Sequence, residues 1–265
     1  MSLSLQDLKD GLRSLSLGQT PLVVHASLKA FGEVDGGAET VVAALLQTFE
    51  TILVPAFTYK TMVTPLTGPP ENGITYGGDG DRNRMAEFFH PQMPVDRLIG
   101  IIPETLRRQP GARRSSHPIL SFAGVRAEPL LAAQTLAEPL APLRALAEAD
   151  GWVLLLGVDH TVNTSIHCAE RLAGRRTFIR WALTPQGVVE CPGFPGCSAG
   201  FQAIAPLVEK ETRQMTLGAA RVQALSLRLL FETVIACLRQ NPLSLLCEQE
   251  DCERCLQIRR WFSPR

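Results

Sequence analysis

The sequence has little that would place the protein on a membrane or on nucleic acid. Its 26 Lys and Arg residues balance its 26 Asp and Glu residues, so no net charge attracts an anionic polymer or lipid surface. No apolar run reaches the roughly 18 residues of a membrane-spanning helix, because Arg228 and Glu232 interrupt the longest candidate, residues 225–238. Residues 1–6 carry no basic segment followed by an apolar one. We therefore expect a cytoplasmic protein with no membrane or nucleic-acid partner.

Disulfide bonds are also not expected. The chain has seven cysteines, an odd number, and structural disulfides are uncommon in a reducing compartment, so we expect thiols or metal ligands. Of the 265 residues, 45% are hydrophobic and 20% are charged, which is enough apolar material to bury a substantial core. We expect residues 1–265 to form a single domain.

Short apolar runs indicate an α/β fold. Residues 21–25, 51–55 and 152–158 are almost uniformly apolar, a pattern typical of strands buried on both faces. Residues 38–49 carry good helix formers with an apolar face, which predicts a strand, loop, helix, strand unit between the first two runs. The beginning of a parallel sheet follows from this order.

The remaining segments predict less regular structure. Residues 58–83 are rich in Gly, Pro, Asn and Thr, which predicts a long loop, and a substrate-side role is favoured over disorder. A hairpin is predicted over residues 177–191 and a long helix over residues 221–239. Residues 242–265 form a terminal segment that contains cysteines.

Residues 25–37, HASLKAFGEVDGG, combine a strand end, a polar loop and two glycines that open a helix. Main-chain N–H groups at a positive helix end suit phosphate oxygens. The segment is neither a Walker sequence nor the triple-glycine dinucleotide fingerprint. An ordinary turn with a glycine-assisted helix start is the alternative interpretation.

Residues 163–170, NTSIHCAE, follow the buried strand and predict a helix capped by Asn163 or Thr164. On that helix His167 and Glu170 share a face, so the carboxylate can hold one ring nitrogen while the other points at a reacting group. This arrangement suits a general base that takes a proton from an attacking amine or hydroxyl. A structural helix histidine beside a glutamate is the alternative, but the position after a buried strand favours function.

Two further segments carry side chains that could bind a ligand or a metal ion. Residues 113–118, RRSSHP, offer cationic side chains and hydroxyls that can contact phosphates, or form an ordinary surface loop. Cys247, Cys252 and Cys255 occur as C-x4-C-x2-C, and with Cys191 or Cys197 as a fourth ligand they could bind one structural zinc. Buried free thiols are the alternative, and an iron–sulfur cluster uses the same ligands.

Three motifs together resemble one protein family. In order and spacing, VVHASLKAFGEVDGGAETVVAALL, IPETLRRQPGARRSSHPILSFAGV and DGWVLLLGVDHTVNTSIHCAE are similar to the aminoglycoside 3-N-acetyltransferases, over most of residues 20–220. The resemblance implies an α/β fold with a central mixed sheet flanked by helices, rather than the common N-acetyltransferase fold. It also implies an antibiotic-resistance type of enzyme that transfers an acetyl group from acetyl-CoA directly to an amine acceptor.

The resemblance implies roles for individual residues. His167 resembles the family's catalytic base, and Glu170 resembles its partner. The residues that resemble the CoA-side loop and helix start are Ala26, Ser27, Leu28, Val34, Gly36, Gly37 and Thr40. Those that resemble the loop closing over the pantetheine and phosphates are Ser115, Ser116 and His117.

The chain departs from the drug-modifying members on the acceptor side. Residues 125–151 are shorter than in those enzymes, with AEPLAPL where they carry an extra polar loop. A polycationic aminoglycoside favours an acidic cleft, for which the sequence offers only Glu71, Asp79, Asp81 and Asp159. The donor is therefore better defined than the acceptor.

Two other functions stay open on the sequence alone. A metal-dependent hydrolase could use His160, His167 and Glu170, with His25 or His117 as a further ligand, although no tight His-x3-His pair is present. A non-catalytic binding module, stabilised by zinc at the terminal cysteines, is the other alternative.

Overall fold

The computed structural model describes residues 2–77 and 83–262. The strands are β1 (Leu22–Ala26), β2 (Ile52–Pro55), β3 (Met62–Val63), β4 (Ala112–Arg114), β5 (Phe122–Val125), β6 (Trp152–Leu156), β7 (Phe178–Thr184), β8 (Gly187–Phe194), β9 (Arg213–Leu217) and β10 (Ala220–Ser226). The helices are α1 (Leu5–Ser14), α2 (Gly37–Thr48), α3 (Ile101–Arg107), α4 (Glu128–Ala132), α5 (Ala141–Glu148), α6 (Thr164–Leu172), α7 (Ala205–Val208), α8 (Leu227–Gln240) and α9 (Glu253–Phe262).

Within these residues the central sheet has seven strands in the order β4-β5-β2-β1-β6-β10-β9. Strand β1 pairs in parallel with β2 on one side and with β6 on the other, whereas β5 and β10 run antiparallel to the strands beside them. A second, three-stranded antiparallel sheet has the order β3-β7-β8. The expected α/β fold with a central mixed sheet flanked by helices is confirmed.

The three apolar runs form central strands of the sheet, and helices cover both faces of that sheet. On β1, Leu22 and Val24 point into a core with α1, α2 and α3, while Val23 points into a core with α5, α6 and α8. On β6, Val153 through Leu156 are all at most 1% exposed. Burial of this extent on both faces explains why these segments lack the alternation of a half-exposed strand.

Two predictions outside the central strands had different outcomes. The hairpin over residues 177–191 is confirmed as β7 and β8, which pair up to Thr184 and Gly187. The helix predicted over residues 221–239 is wrong at its start, because Ala220–Ser226 is a strand between β6 and β9 and the helix begins at Leu227.

The described part of the loop at residues 58–83 packs against the second sheet. Met62 and Val63 form β3 on the edge of β7. Asn72 binds the backbone of Ile179 twice: its Oδ1 accepts the N–H at 2.7 Å, and its Nδ2 donates to the carbonyl at 3.0 Å. None of the helices in the described ranges has the length and apolarity to cross a bilayer.

Candidate active site

Strand β6 leads directly into the helix that carries the predicted general base. After β6 the chain forms one 3-10 turn, His160–Val162, and then Asn163 caps α6 by accepting the N–H of Ser165 at 3.1 Å. Nδ1 of His167 lies 2.8 Å from Oε2 of Glu170, one helical turn later. The structure therefore brings together the two residues predicted to act as a pair.

Glu170 is itself held in place by a residue that the sequence did not single out. Its second carboxylate oxygen, Oε1, pairs with Nη1 of Arg175, and the side chains of both residues are at most 6% exposed. Nη2 of Arg175 donates to the carbonyl of Pro242 at 2.5 Å and to that of Ser244 at 2.8 Å. A carboxylate held on one side by a buried cation is fixed in position and can orient the imidazole on its other side.

The imidazole of His167 is enclosed but not fully buried. Its side chain is 9% exposed, and its ring meets the ring of Phe201 edge-on at 4.6 Å between centroids. Because the carboxylate of Glu170 accepts the proton on Nδ1, Nε2 carries the free electron pair. The pair thus presents one basic nitrogen, with the ring held from two sides.

The residues predicted to hold CoA lie together at the end of β1. Ala26 ends the strand, Ser27 precedes the 3-10 turn Leu28–Phe31, and Gly36 and Gly37 begin α2 with φ of 71° and 60°. No side chain caps this helix, and the N–H of Gly37 donates to the carbonyl of Val34 at 3.0 Å, so the N–H groups that follow Gly37 in the first turn are the ones a ligand could use. A Cβ on Gly36 would lie 2.5 Å from Oγ1 of Thr40, so the positive φ and the close approach of the Thr40 hydroxyl both favour glycine there.

The turn that follows β1 and the loop before His167 are in contact. Because β1 and β6 are parallel neighbours, their carboxyl ends meet at one edge of the sheet, and the N–H of Ser27 donates to the carbonyl of Leu156 at 2.9 Å. Gly157 packs against Ala30 so closely that a Cβ on the glycine would lie 2.2 Å from the alanine Cβ. A helix amino end and a positioned imidazole therefore follow two adjacent strands.

The loop between β4 and β5 lies near the same edge of the sheet, because it is hydrogen-bonded to the segment that follows β2. The carbonyl of Pro118 accepts hydrogen bonds at 2.7 Å from the hydroxyls of Thr58 and Thr61. The Ser115 hydroxyl accepts the N–H of Phe122 at 2.9 Å, so it closes its own turn, whereas Ser116 is exposed. Of the two predicted hydroxyls, Ser116 is the one available to a ligand.

Comparison with known proteins agrees with this geometry. A family model described as aminoglycoside 3-N-acetyltransferase matches residues 23–239, which is most of the chain. The chain belongs to the aminoglycoside 3-N-acetyltransferase family. An aminoglycoside N(3)-acetyltransferase III from a Salmonella species is 36% identical over 214 residues, covering 69% of this chain and 72% of that protein.

Solved structures show the same fold. Aminoglycoside acetyltransferase AAC(3)-IVa, as the apoenzyme, superposes with a TM-score of 0.80 at 24% identity, covering 98% of both chains. AAC-IIIb in a binary complex with CoASH superposes with a TM-score of 0.71 at 26% identity, covering 91% of this chain and 97% of that one. The expected enzyme class, an acetyl-CoA-dependent N-acetyltransferase, is confirmed.

The acidic residues considered for the acceptor side of this acetyltransferase either accept hydrogen bonds within the fold or lie outside the described residues. Glu71 lies 3.6 Å from Nη1 of Arg176 and accepts a hydrogen bond at 3.1 Å from the indole N–H of Trp261. Asp159 accepts the N–H of Thr161 at 2.9 Å. Asp79 and Asp81 lie outside the described residues.

The histidines proposed as hydrolase ligands do not form a metal site with Glu170. Among residues 2–77 and 83–262, the one group of three or more His, Cys, Asp or Glu side chains arranged to hold an ion consists of cysteines. Nδ1 of the His160 ring instead lies 3.2 Å from Nδ2 of Asn163, within hydrogen-bond distance. The main-chain N–H of His160 donates to the side-chain oxygen of Gln202. These residues shape the start of α6.

His117 and His25 are buried and neutral in the folded acetyltransferase. Nδ1 of His117 accepts the N–H groups of Ile119 and Leu120 at 3.1 and 3.0 Å, so its proton is on Nε2. Burial lowers the pKa of His117 from 6.5 to about 4. Burial, together with the nearby His160, lowers the pKa of His25 from 6.5 to about 3. Protonation of either ring therefore opposes folding.

We expect this burial to make the enzyme less stable in weak acid. Since the unfolded chain binds a proton near pH 6.5 and the folded one does not, the stability is fully present above that pH and falls toward pH 4. The variant His117→Asn keeps an acceptor for the two N–H groups and should flatten the decline by about 1.2 kcal/mol between pH 6 and 5. Urea unfolding across this range measures the slope, with the exposed His90→Asn as control. An unchanged slope in His117→Asn would refute the assignment.

Proposed function

We propose that the protein acetylates a primary amine with acetyl-CoA, using His167 as general base and Glu170 as the residue that orients and stabilises it. The observation that carries the proposal is the 2.8 Å contact between Nδ1 and Oε2, on a helix that begins beside the turn after β1. A base and a helix amino end at one edge of the sheet are the two parts that a nucleotide thioester and an amine require.

In the proposed reaction the acceptor nitrogen attacks the thioester carbonyl carbon of acetyl-CoA. Nε2 of His167 removes the proton from the nitrogen as the new C–N bond forms, and Glu170 stabilises the imidazolium. The C–S bond then breaks, and the departing thiolate takes the proton from His167. The products are the N-acetylated amine and CoA, and the histidine is neutral again.

The donor is proposed to bind with its pyrophosphate against the first turn of α2. No side chain caps this 12-residue helix, and the N–H groups that follow Gly37 in its first turn supply hydrogen bonds and a partial positive charge. Ser116, exposed on the loop between β4 and β5, is proposed to contact the pantetheine or the phosphates. Ala26, Ser27, Leu28 and Val34 are proposed to line the same channel.

Aminoglycosides are the first acceptors to test. Relatives of this fold bind a gentamicin, apramycin and sisomicin in solved structures. The two acidic candidates within the described residues nevertheless accept hydrogen bonds within the fold, Glu71 from Trp261 and Asp159 from Thr161. We infer that an amine with fewer positive charges than an aminoglycoside fits this chain at least as well.

Two simple measurements test the proposal. A thermal shift with CoA at about a hundred times its dissociation constant should correspond to roughly 2.7 kcal/mol of stabilisation. Release of free thiol from acetyl-CoA, followed over a panel of aminoglycosides and smaller amines, identifies the acceptor. Absence of any CoA-induced shift would reject the donor, and thiol release that needs no added amine would favour the hydrolase alternative.

A further inference from the structure

Four cysteines from two distant parts of the chain meet on the side of the second sheet. The Sγ atoms of Cys197, Cys247, Cys252 and Cys255 all lie within 4.8 Å of one another. Cys247 and Cys255 are buried, and the other two are partly buried. Cys191, the alternative fourth ligand, is not in this group; it lies within β8 with its side chain in the core.

The spacing of the sulfur atoms suits one tetrahedral ion. Zinc–thiolate bonds of about 2.3 Å place the four sulfurs about 3.8 Å apart, and the Sγ atoms of Cys247 and Cys255 are 3.4 Å apart. A disulfide needs about 2.05 Å, so this pair is not one. A multi-iron cluster lies between its cysteines and holds their sulfurs farther apart than a single ion does. Four thiolates in this geometry are typical of zinc.

The local backbone also favours thiolates. Sγ of Cys197 accepts the N–H of Ala199 at 3.4 Å, a hydrogen bond that stabilises a negatively charged sulfur. Cys252 immediately precedes α9 and Cys255 lies in its first turn, where the helix dipole is positive. Between them, Arg254 donates to the carbonyl of Gly196 at 2.8 Å, which fixes the helix against the loop that carries Cys197.

We propose that Cys197, Cys247, Cys252 and Cys255 bind one structural zinc ion that fastens the C-terminal helix to the loop after β8. This proposal is independent of the acetyl-transfer proposal, because it is argued from the positions of the four sulfur atoms and not from His167 or Glu170. Its role is to hold a segment that the small second sheet alone would secure weakly.

The segment that the zinc ion would hold supports both Arg175, the partner of Glu170, and the long loop that contains Glu71. Residues 242–247 include the carbonyls of Pro242 and Ser244 that receive Arg175, the partner of Glu170. In α9, the Trp261 ring stacks on that of Phe178 at 5.4 Å, and its N–H donates to Glu71 in the long loop. Loss of the ion would therefore loosen the support of Glu170 and of the described loop residues.

The test begins with metal analysis of the full chain, purified from cells grown with zinc and without added chelator. We expect one zinc per chain in the wild type and in Cys191→Ala and Cys237→Ala, and loss of that zinc in Cys197→Ala and Cys252→Ala. Hydrogen exchange should then quicken in α9 and residues 242–247 of the two zinc-free variants, with a lower Tm. Cys191 is the sharper control because it is buried and lies six residues from Cys197.

A second measurement keeps the proposal testable if the zinc-free variants do not fold. Wild-type protein grown with cobalt in place of zinc should show the visible absorption bands of tetrahedral cobalt bound by four thiolates. Wild-type protein with less than stoichiometric zinc and no such cobalt bands would overturn the site. Stoichiometric iron in place of zinc, or zinc retained by Cys197→Ala, would overturn it as well.

Discussion

Replacing His167 with alanine is expected to lower kcat by about 10²- to 10⁴-fold, the range that a positioned general base contributes. The dissociation constant for CoA should stay within a few-fold of the wild-type value, because the turn at residues 26–37 does not depend on the imidazole. The measurement combines thiol release from acetyl-CoA with a direct binding assay for CoA on the same preparations.

His90→Ala is the matched control for this substitution. His90 is exposed and its side chain has no role in the proposed reaction, so kcat should not change. If His167→Ala retains full kcat, the histidine is structural. If it instead loses CoA binding without a separate loss in kcat, the histidine belongs to the donor site and another base must be sought.

Arg175→Met is expected to lower the free energy of unfolding by about 3–5 kcal/mol, because it leaves the buried carboxylate of Glu170 without its cation. The side chains of Arg175 and Glu170 are 5% and 6% exposed, so water cannot replace the missing charge. The carbonyls of Pro242 and Ser244 lose their donor at the same time. Urea unfolding at neutral pH measures the effect.

Two comparisons separate this explanation from a general effect of removing an arginine. Arg144→Met removes the partner of Glu148, and with side chains 49% and 72% exposed that pair should contribute about 0–1 kcal/mol. Adding Glu170→Gln to Arg175→Met removes the uncompensated charge and should recover part of the lost stability. A double variant less stable than Arg175→Met would show that the buried charge is not the cause.

The central strands could be predicted from the sequence because their burial is a local, uniform signal. WVLLLGV and the run at residues 21–25 have no polar face, and only the interior of a covered sheet accommodates such segments. Residues 220–226 gave no such signal. Val222 and Ala224 are fully buried beside Arg221, and this pattern also suits a helix; pairing with β6 and β9 makes it a strand.

The residues of the candidate site likewise fall into those that a local pattern predicts and those that it does not. His167 and Glu170 are three residues apart on one helix, so their contact follows from helical geometry and could be predicted. Phe201 reaches the ring only through tertiary packing. Arg175 lies five residues after Glu170, and its main-chain N–H donates to the Glu170 carbonyl at 2.9 Å, but it stands beyond the end of α6, so helical spacing did not predict the contact between the two side chains. The choice between Cys191 and Cys197 was likewise open, because it depends on which of them faces α9 across the end of β8.

A crystal structure of the protein with bound CoA tests the proposed site most directly. We expect the pyrophosphate to accept hydrogen bonds from the N–H groups that follow Gly37 in the first turn of α2, with the thiol within reach of Nε2 of His167. CoA bound away from this helix end, or a thiol directed to the side of the sheet opposite His167, would contradict the proposed mechanism.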